Sequence, residues 1–184
     1  MSLPVVTIVG RPNVGKSTLF NRIIKKREAI VDDQPGVTRD RLYAEAEWQG
    51  LNFMIVDTGG YLPHASDEMD KAIREQVDIA IEEADVILYV TDRSTGITDW
   101  DKEIAEKLQR ARKKVLLIVN KIDNEMMEGD AFEFYNLGLG DPLGISALQG
   151  RDIGDMLDQL IIHLKMVPDL PENEDAIKLA VIGR

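Results

Sequence analysis

A mainly parallel α/β sheet of six strands, with helices on both faces and one antiparallel hairpin at an edge, is the fold class that the sequence predicts. Three observations predict it. Short β-branched runs alternate with segments long enough for a helix, two neighbouring runs are joined by a tight turn instead, and a glycine-rich turn stands between the first run and the first helical pattern.

The elements follow in order. Val5, Val6, Ile8 and Val9 suit a short buried strand, and Leu19, Phe20, Ile23 and Ile24 then recur at helical spacing. Residues 26–41 carry no helical period and two turn signals, at Asp33 and Pro35-Gly36, which predicts a loop. Leu42 to Trp48 alternates Leu, Ala, Ala, Trp on one side with Tyr, Glu, Glu on the other. It turns through Gln49-Gly50 into a strand at Phe53–Val56, which makes the edge hairpin. Further strands are expected at Val86–Thr91, Val115–Val119 and Pro142–Ile145. Helices are expected at Glu68–Glu83, Asp99–Ala111 and Ile153–Leu164, each with apolar residues three and four apart, such as Ile104, Leu108 and Ala111. In such a fold ligands bind at the carboxyl ends of the parallel strands.

Composition narrows the function classes. The chain has 184 residues, 44% of them apolar or aromatic, which suits one domain with a substantial core. No apolar run is long enough to cross a bilayer, the first residues lack a signal-peptide pattern, and there is no cysteine, so a soluble cytoplasmic protein without disulfides is expected. The net charge of −11 opposes attraction to nucleic acid or anionic lipid, and no direct nucleic-acid binding is expected of this chain alone. The cationic clusters Lys25-Lys26-Arg27 and Arg110 to Lys114 each lie near a helix end, where positive charge complements the helix dipole. The two histidines, His64 and His163, lack metal-ligand spacing and read as surface residues, and Trp100 and Met126-Met127 read as local packing or loop contacts.

The glycine-rich turn carries chemistry. Gly10-Arg11-Pro12-Asn13-Val14-Gly15-Lys16-Ser17, followed by Thr18, fits G-x-x-x-x-G-K-[ST] between a strand and a helix. The glycines let backbone N–H groups converge on phosphate oxygens at the positive end of the helix. Lys16 is expected to reach the β- and γ-phosphates, and the Ser17 hydroxyl to ligate Mg²⁺. Asp57-Thr58-Gly59-Gly60 ends the Phe53 strand, so Asp57 is expected to hold Mg²⁺ through water and the Gly60 N–H to meet the γ-phosphate. Asn120-Lys121-Ile122-Asp123 ends another strand and selects the base. The Asp123 carboxylate can accept from guanine N1–H and its amino group, a pair adenine lacks, and mismatches of that kind discriminate by about 10⁴ or more. The Lys121 stem can lie along the base and Asn120 can brace the loop. Ser146, Ala147 and Leu148, after the next strand, would add a backbone N–H for guanine O6.

This ordered set resembles the motifs of a translation-factor-type GTPase with the P-loop fold, over about residues 4–164. Residues Gly10 to Asn21, Pro35-Gly36-Val37-Thr38-Arg39-Asp40 and Asp57 to Gly60 are similar to the EngA (Der) family. The resemblance implies a bacterial protein with two successive GTPase domains and a KH-like domain, with the large ribosomal subunit or its precursors as partner. It also implies that Thr38 contacts Mg²⁺ and the γ-phosphate, and that Asn13 helps bind K⁺ beside the phosphates, adding to the catalytic set Lys16, Thr38 and Gly60. Where small signalling GTPases place a water-orienting Gln, this chain has Tyr61, which implies slow hydrolysis. Arg39 and Arg41 are rival cations for the K⁺ role. Ala176 to Arg184 aligns with Leu3 to Arg11, so residues 1–165 are expected to be the GTPase domain, 166–175 an acidic linker, and 176–184 the first strand of a second such domain. A nucleotide-gated docking module with negligible turnover of its own is the alternative.

Overall fold

The structure is a computed structural model that describes residues 3–24, 42–58, 66–111 and 113–166. The cationic cluster Lys25 to Arg27, the loop with Thr38, Arg39 and Arg41, the turn with Gly59, Gly60, Tyr61 and His64, and the expected linker and second strand beyond Met166 lie outside the described residues.

Six strands form one sheet in the order β2-β3-β1-β4-β5-β6. They are β1 Val5–Val9, β2 Leu42–Trp48, β3 Leu51–Asp57, β4 Val86–Asp92, β5 Lys114–Asn120 and β6 Leu143–Gly144. β2 runs antiparallel to β3, and the other neighbouring strands are parallel. Gln49 and Gly50, at φ 51° and 80°, make the tight turn between β2 and β3, because two left-handed residues match the twist of the flanking strands. The expected Pro142–Ile145 strand is shorter, with two residues in β6, although the Ile145 N–H just beyond them still donates to the Val119 carbonyl at 2.9 Å.

The helices are α1 Lys16–Ile24, α2 Ser66–Glu83, α3 Asp99–Ala111 and α4 Ile153–Leu164. They close two cores on opposite faces of the sheet. Val86, Leu88 and Val90 of β4 join Leu19, Phe20, Met156 and Leu160 in one core, while Ile87 and Tyr89 join Val77, Ile104 and Leu108 in the other. All seven residues of β4 are buried, so the strand is apolar through most of its length instead of alternating.

Two features depart from the expectations. A 3-10 helix, Glu125–Leu137, fills the connection from β5 to β6, burying Ala131, Phe134 and Leu137 while Met126 stands exposed and Met127 packs inward. His163 is half-buried instead of lying on the surface. Its Nδ1 has no hydrogen-bond partner among the described residues, and burial, with the Lys114 charge adding to it, holds its pKa below the ordinary value.

Candidate functional site

The Gly10 to Ser17 turn leaves the carboxyl end of β1 and enters α1. Glycine is required at two places by contact. A Cβ on Gly10 would stand 2.3 Å from the Val90 carbonyl oxygen, and one on Gly15, at φ 102°, would stand 2.2 Å from Asn120 Nδ2. Asn13 is exposed at the crest of the turn in the left-handed region, at φ 65°. Lys16 is buried and folds back, its Nζ donating to the Gly10 and Arg11 carbonyls at 2.8 Å each. Burial lowers its pKa from 10.5 to about 8, with the Asp57 charge opposing the shift and Arg11 adding to it. A cation held under such desolvation is the electrostatic complement of a polyphosphate. Ser17 and Thr18 are exposed at the first turn of α1. Asp57 and Thr58 are buried at the end of β3, and Thr58 Oγ1 donates to the Ile8 carbonyl at 2.8 Å. A serine hydroxyl and a carboxylate are hard oxygen donors of the kind Mg²⁺ takes, so these residues fit that ion.

The base-side residues gather at the ends of β5 and β6. Asn120, 4% exposed, donates through Nδ2 to the Val14 carbonyl at 2.8 Å and accepts through Oδ1 from the Ala147 N–H at 2.9 Å. One carboxamide therefore joins the phosphate turn to the Ser146–Leu148 loop. The Ser146 hydroxyl donates to Asp123 at 2.6 Å, which fixes the carboxylate and leaves its second oxygen for a base edge. Ala147 N–H is already engaged by Asn120, and the neighbouring Leu148 stands 75% exposed at the tip of the loop. Lys121, at φ 71°, pairs with Asp92.

The structure thus brings Gly10 to Thr18, Asp57, Thr58, Asn120, Lys121, Asp123 and Ser146 to Leu148 to one rim of the sheet. Arg11 behaves differently from a phosphate ligand. Its Nε donates to Asp101 at 2.9 Å and its Nη2 to Thr95 Oγ1 at 2.7 Å, so the guanidinium braces the turn from behind. Three supporting residues had no sequence signal that singled them out: Asp101, Asp92, and Arg22, whose guanidinium donates to the Ala147 carbonyl at 3.0 Å and to that of Leu148. Each acts on a residue 29 or more positions away in the chain, a pairing that no local spacing encodes.

A mainly parallel sheet carrying a phosphate-type glycine turn, an Asp at the end of β3 and an Asn-Lys-x-Asp loop at the end of β5 defines a P-loop GTPase domain. Residues 5–121, well over half of the chain, match the family described as 50S ribosome-binding GTPase, and the chain belongs to that family. Over all 184 residues it is 52% identical to GTPase Der of Clostridium acetobutylicum, and it spans 42% of that protein's length. Among solved structures it is similar to an Era variant of Aquifex aeolicus bound to GDP and AlF4⁻, with 28% identity, a TM-score of 0.70, and coverage of 92% of this chain and 58% of that one. It is also similar to Era in complex with MgGDPNP and a segment of 16S ribosomal RNA, with 30% identity, a TM-score of 0.68, and coverage of 94% and 61%.

Proposed function

We propose that this chain is the first GTPase domain of a longer protein of the Der type, and that it hydrolyses GTP to GDP and phosphate as a switch in assembly of the large ribosomal subunit. The observation that carries the reading is the Asn120 carboxamide, which holds a phosphate-type turn and a guanine-type loop together as one site. The kinship to GTPase Der supports the wider setting, namely a second GTPase domain and a KH-like domain after the linker at 166–175, and a cytoplasmic place of action.

In this reading Lys16 and the backbone N–H groups of the Gly10–Thr18 turn, Pro12 apart, hold the β- and γ-phosphates, and Asp123, Lys121 and Leu148 hold guanine. Ser17, Thr38 and Asp57 would hold Mg²⁺, which would supply neutralisation of the phosphate charge. Water attacks the γ-phosphorus and the bond to the β–γ bridging oxygen breaks. Lys16 and the Gly60 N–H stabilise the charge that develops, so no protein nucleophile is required. Tyr61 in place of a water-orienting amide makes turnover slow, and exposed Asn13 offers a carboxamide oxygen for K⁺ beside the phosphates.

The test is Mg²⁺-dependent phosphate release from GTP, with ATP as control, in KCl and in NaCl at matched ionic strength. GTP-selective release that is faster in KCl is expected, and Asn13→Ala should lose the K⁺ response. A K⁺ response unchanged in Asn13→Ala removes Asn13 from that role. Tight GTP binding without release in either salt leaves a nucleotide-gated docking module.

A further inference from the structure

Lys121 occupies the position whose stem would line the guanine base, yet a lysine there is poorly suited to hold still. Its side chain is flexible and 41% exposed, and water draws its ammonium outward. In this chain the ammonium is held. Asp92, the last residue of β4, lies opposite Asn120 in the parallel register, which sets its carboxylate beside the next residue of the loop. Lys121 Nζ donates to Asp92 Oδ2. The carboxylate is itself fixed, because its Oδ1 accepts from the Ser94 N–H at 2.8 Å and from the Ser94 hydroxyl at 2.5 Å. Its side chain is 6% exposed, so water competes weakly for the carboxylate oxygens. Burial alone would raise the Asp92 pKa, but the Lys121 and Ser94 hydrogen bonds outweigh it and keep the group ionised.

We propose that Asp92 is a positioning residue for guanine recognition, anchoring the Lys121 ammonium so that the stem is already in place when the base arrives. This rests on the guanine-site reading above. The backbone direction of Lys121 is set by its left-handed φ and the side-chain direction by Asp92, so less rotamer freedom remains to be lost on binding.

The test is a double-mutant cycle on the chain as it stands, reading the Kd and release rate of Mg·GDP with Mg·ADP as comparison. Asp92→Asn is expected to weaken GDP about tenfold, mainly through faster release, as befits loss of a charged hydrogen bond. In a Lys121→Met background the same change is expected to shift Kd less than about twofold, because the partner it acts through is gone. Ser94→Ala, which removes the hydroxyl contact and leaves the Ser94 N–H contact and the ion pair, should stay within about threefold of wild type. An additive effect of Asp92→Asn in the Lys121→Met background overturns the proposal, as does a Ser94→Ala loss equal to that of Asp92→Asn. Should Asp92→Asn not fold, Asp92→Glu keeps the charge, and a loss that persists without Lys121 is equally decisive. Wild type that fails to prefer GDP over ADP overturns the guanine-site reading itself, an outcome distinct from a guanine-selective wild type whose Asp92 variants bind normally.

Discussion

Replacing Asp101 by asparagine should uncouple the phosphate turn from α3 and destabilise the domain heavily. The carboxylate is fully buried and gathers four hydrogen bonds. Oδ1 accepts from Arg11 Nε at 2.9 Å and from the Tyr89 hydroxyl at 3.2 Å, and Oδ2 from the Thr98 N–H at 2.9 Å and the Thr98 hydroxyl at 2.7 Å. An amide nitrogen has no acceptor to offer the two donors on its side. Those hydrogen bonds to a charged group contribute about 1.5–3 kcal/mol each, and the Arg11 cation, 15% exposed, loses its counter-charge. Rotamer adjustment and an altered Thr98 hydroxyl direction recover part of this, which leaves about 3–5 kcal/mol. For a chain of this length that is a fall of about 6–20 °C in Tm, read by nucleotide-free thermal or urea unfolding. The same variant should bind Mg·GDP more weakly, because Arg11 then no longer braces the turn. A loss below about 1 kcal/mol with unchanged GDP affinity would refute the claim that this carboxylate organises both elements.

Further outcomes follow from the same contacts. Lys16 has a folded-state pKa of about 8, below its ordinary 10.5, so between those values the unfolded chain binds more protons and nucleotide-free stability rises with pH. Relative to Lys16→Met, wild type should gain roughly 1.4 kcal/mol per pH unit between about pH 8 and 10 in denaturant unfolding, and parallel curves would deny Lys16 that pKa. Asn120→Ala leaves the Val14 carbonyl and the Ala147 N–H unpaired, which predicts about 2–4 kcal/mol of lost stability and a GDP affinity at least tenfold weaker by calorimetry. Gly10→Ala meets a backbone oxygen that cannot step aside, so it should destabilise more in urea unfolding than substitution at Gly50, where the added Cβ meets nothing within 4 Å among the described residues.

The parts of the fold that sequence revealed are those whose physics is local. α3 and α4 were legible to the residue because apolar side chains three and four apart face one core, and β1 and β2 because their burial follows simple runs or alternation. The 3-10 helix escaped because its buried residues, Ala131, Phe134 and Leu137, recur at a strict interval of three, the period of a tighter helix than the one sought. Within the site, the glycine turn and the Asn-Lys-x-Asp loop were legible because contact with a phosphate or a base demands particular residue types in a short span. Their supports were not. The corner between β4 and α3 supplies Asp92 to Lys121, Thr95 to Arg11 and Asp101 to Arg11, while Thr95 Oγ1 lies 3.2 Å from the Asp92 carbonyl oxygen. One stretch of ten residues thus holds both the phosphate turn and the base loop, although it matches no nucleotide-binding motif. A change at this corner should therefore alter phosphate and base affinity together, whereas a change confined to Asp123 should alter base selectivity alone. That contrast is measurable as the ratio of GDP to pyrophosphate affinity in Asp101→Asn and Asp123→Asn. A ratio that moves equally in both variants, with pyrophosphate affinity unchanged in Asp101→Asn, would mean that the corner acts on the base loop alone.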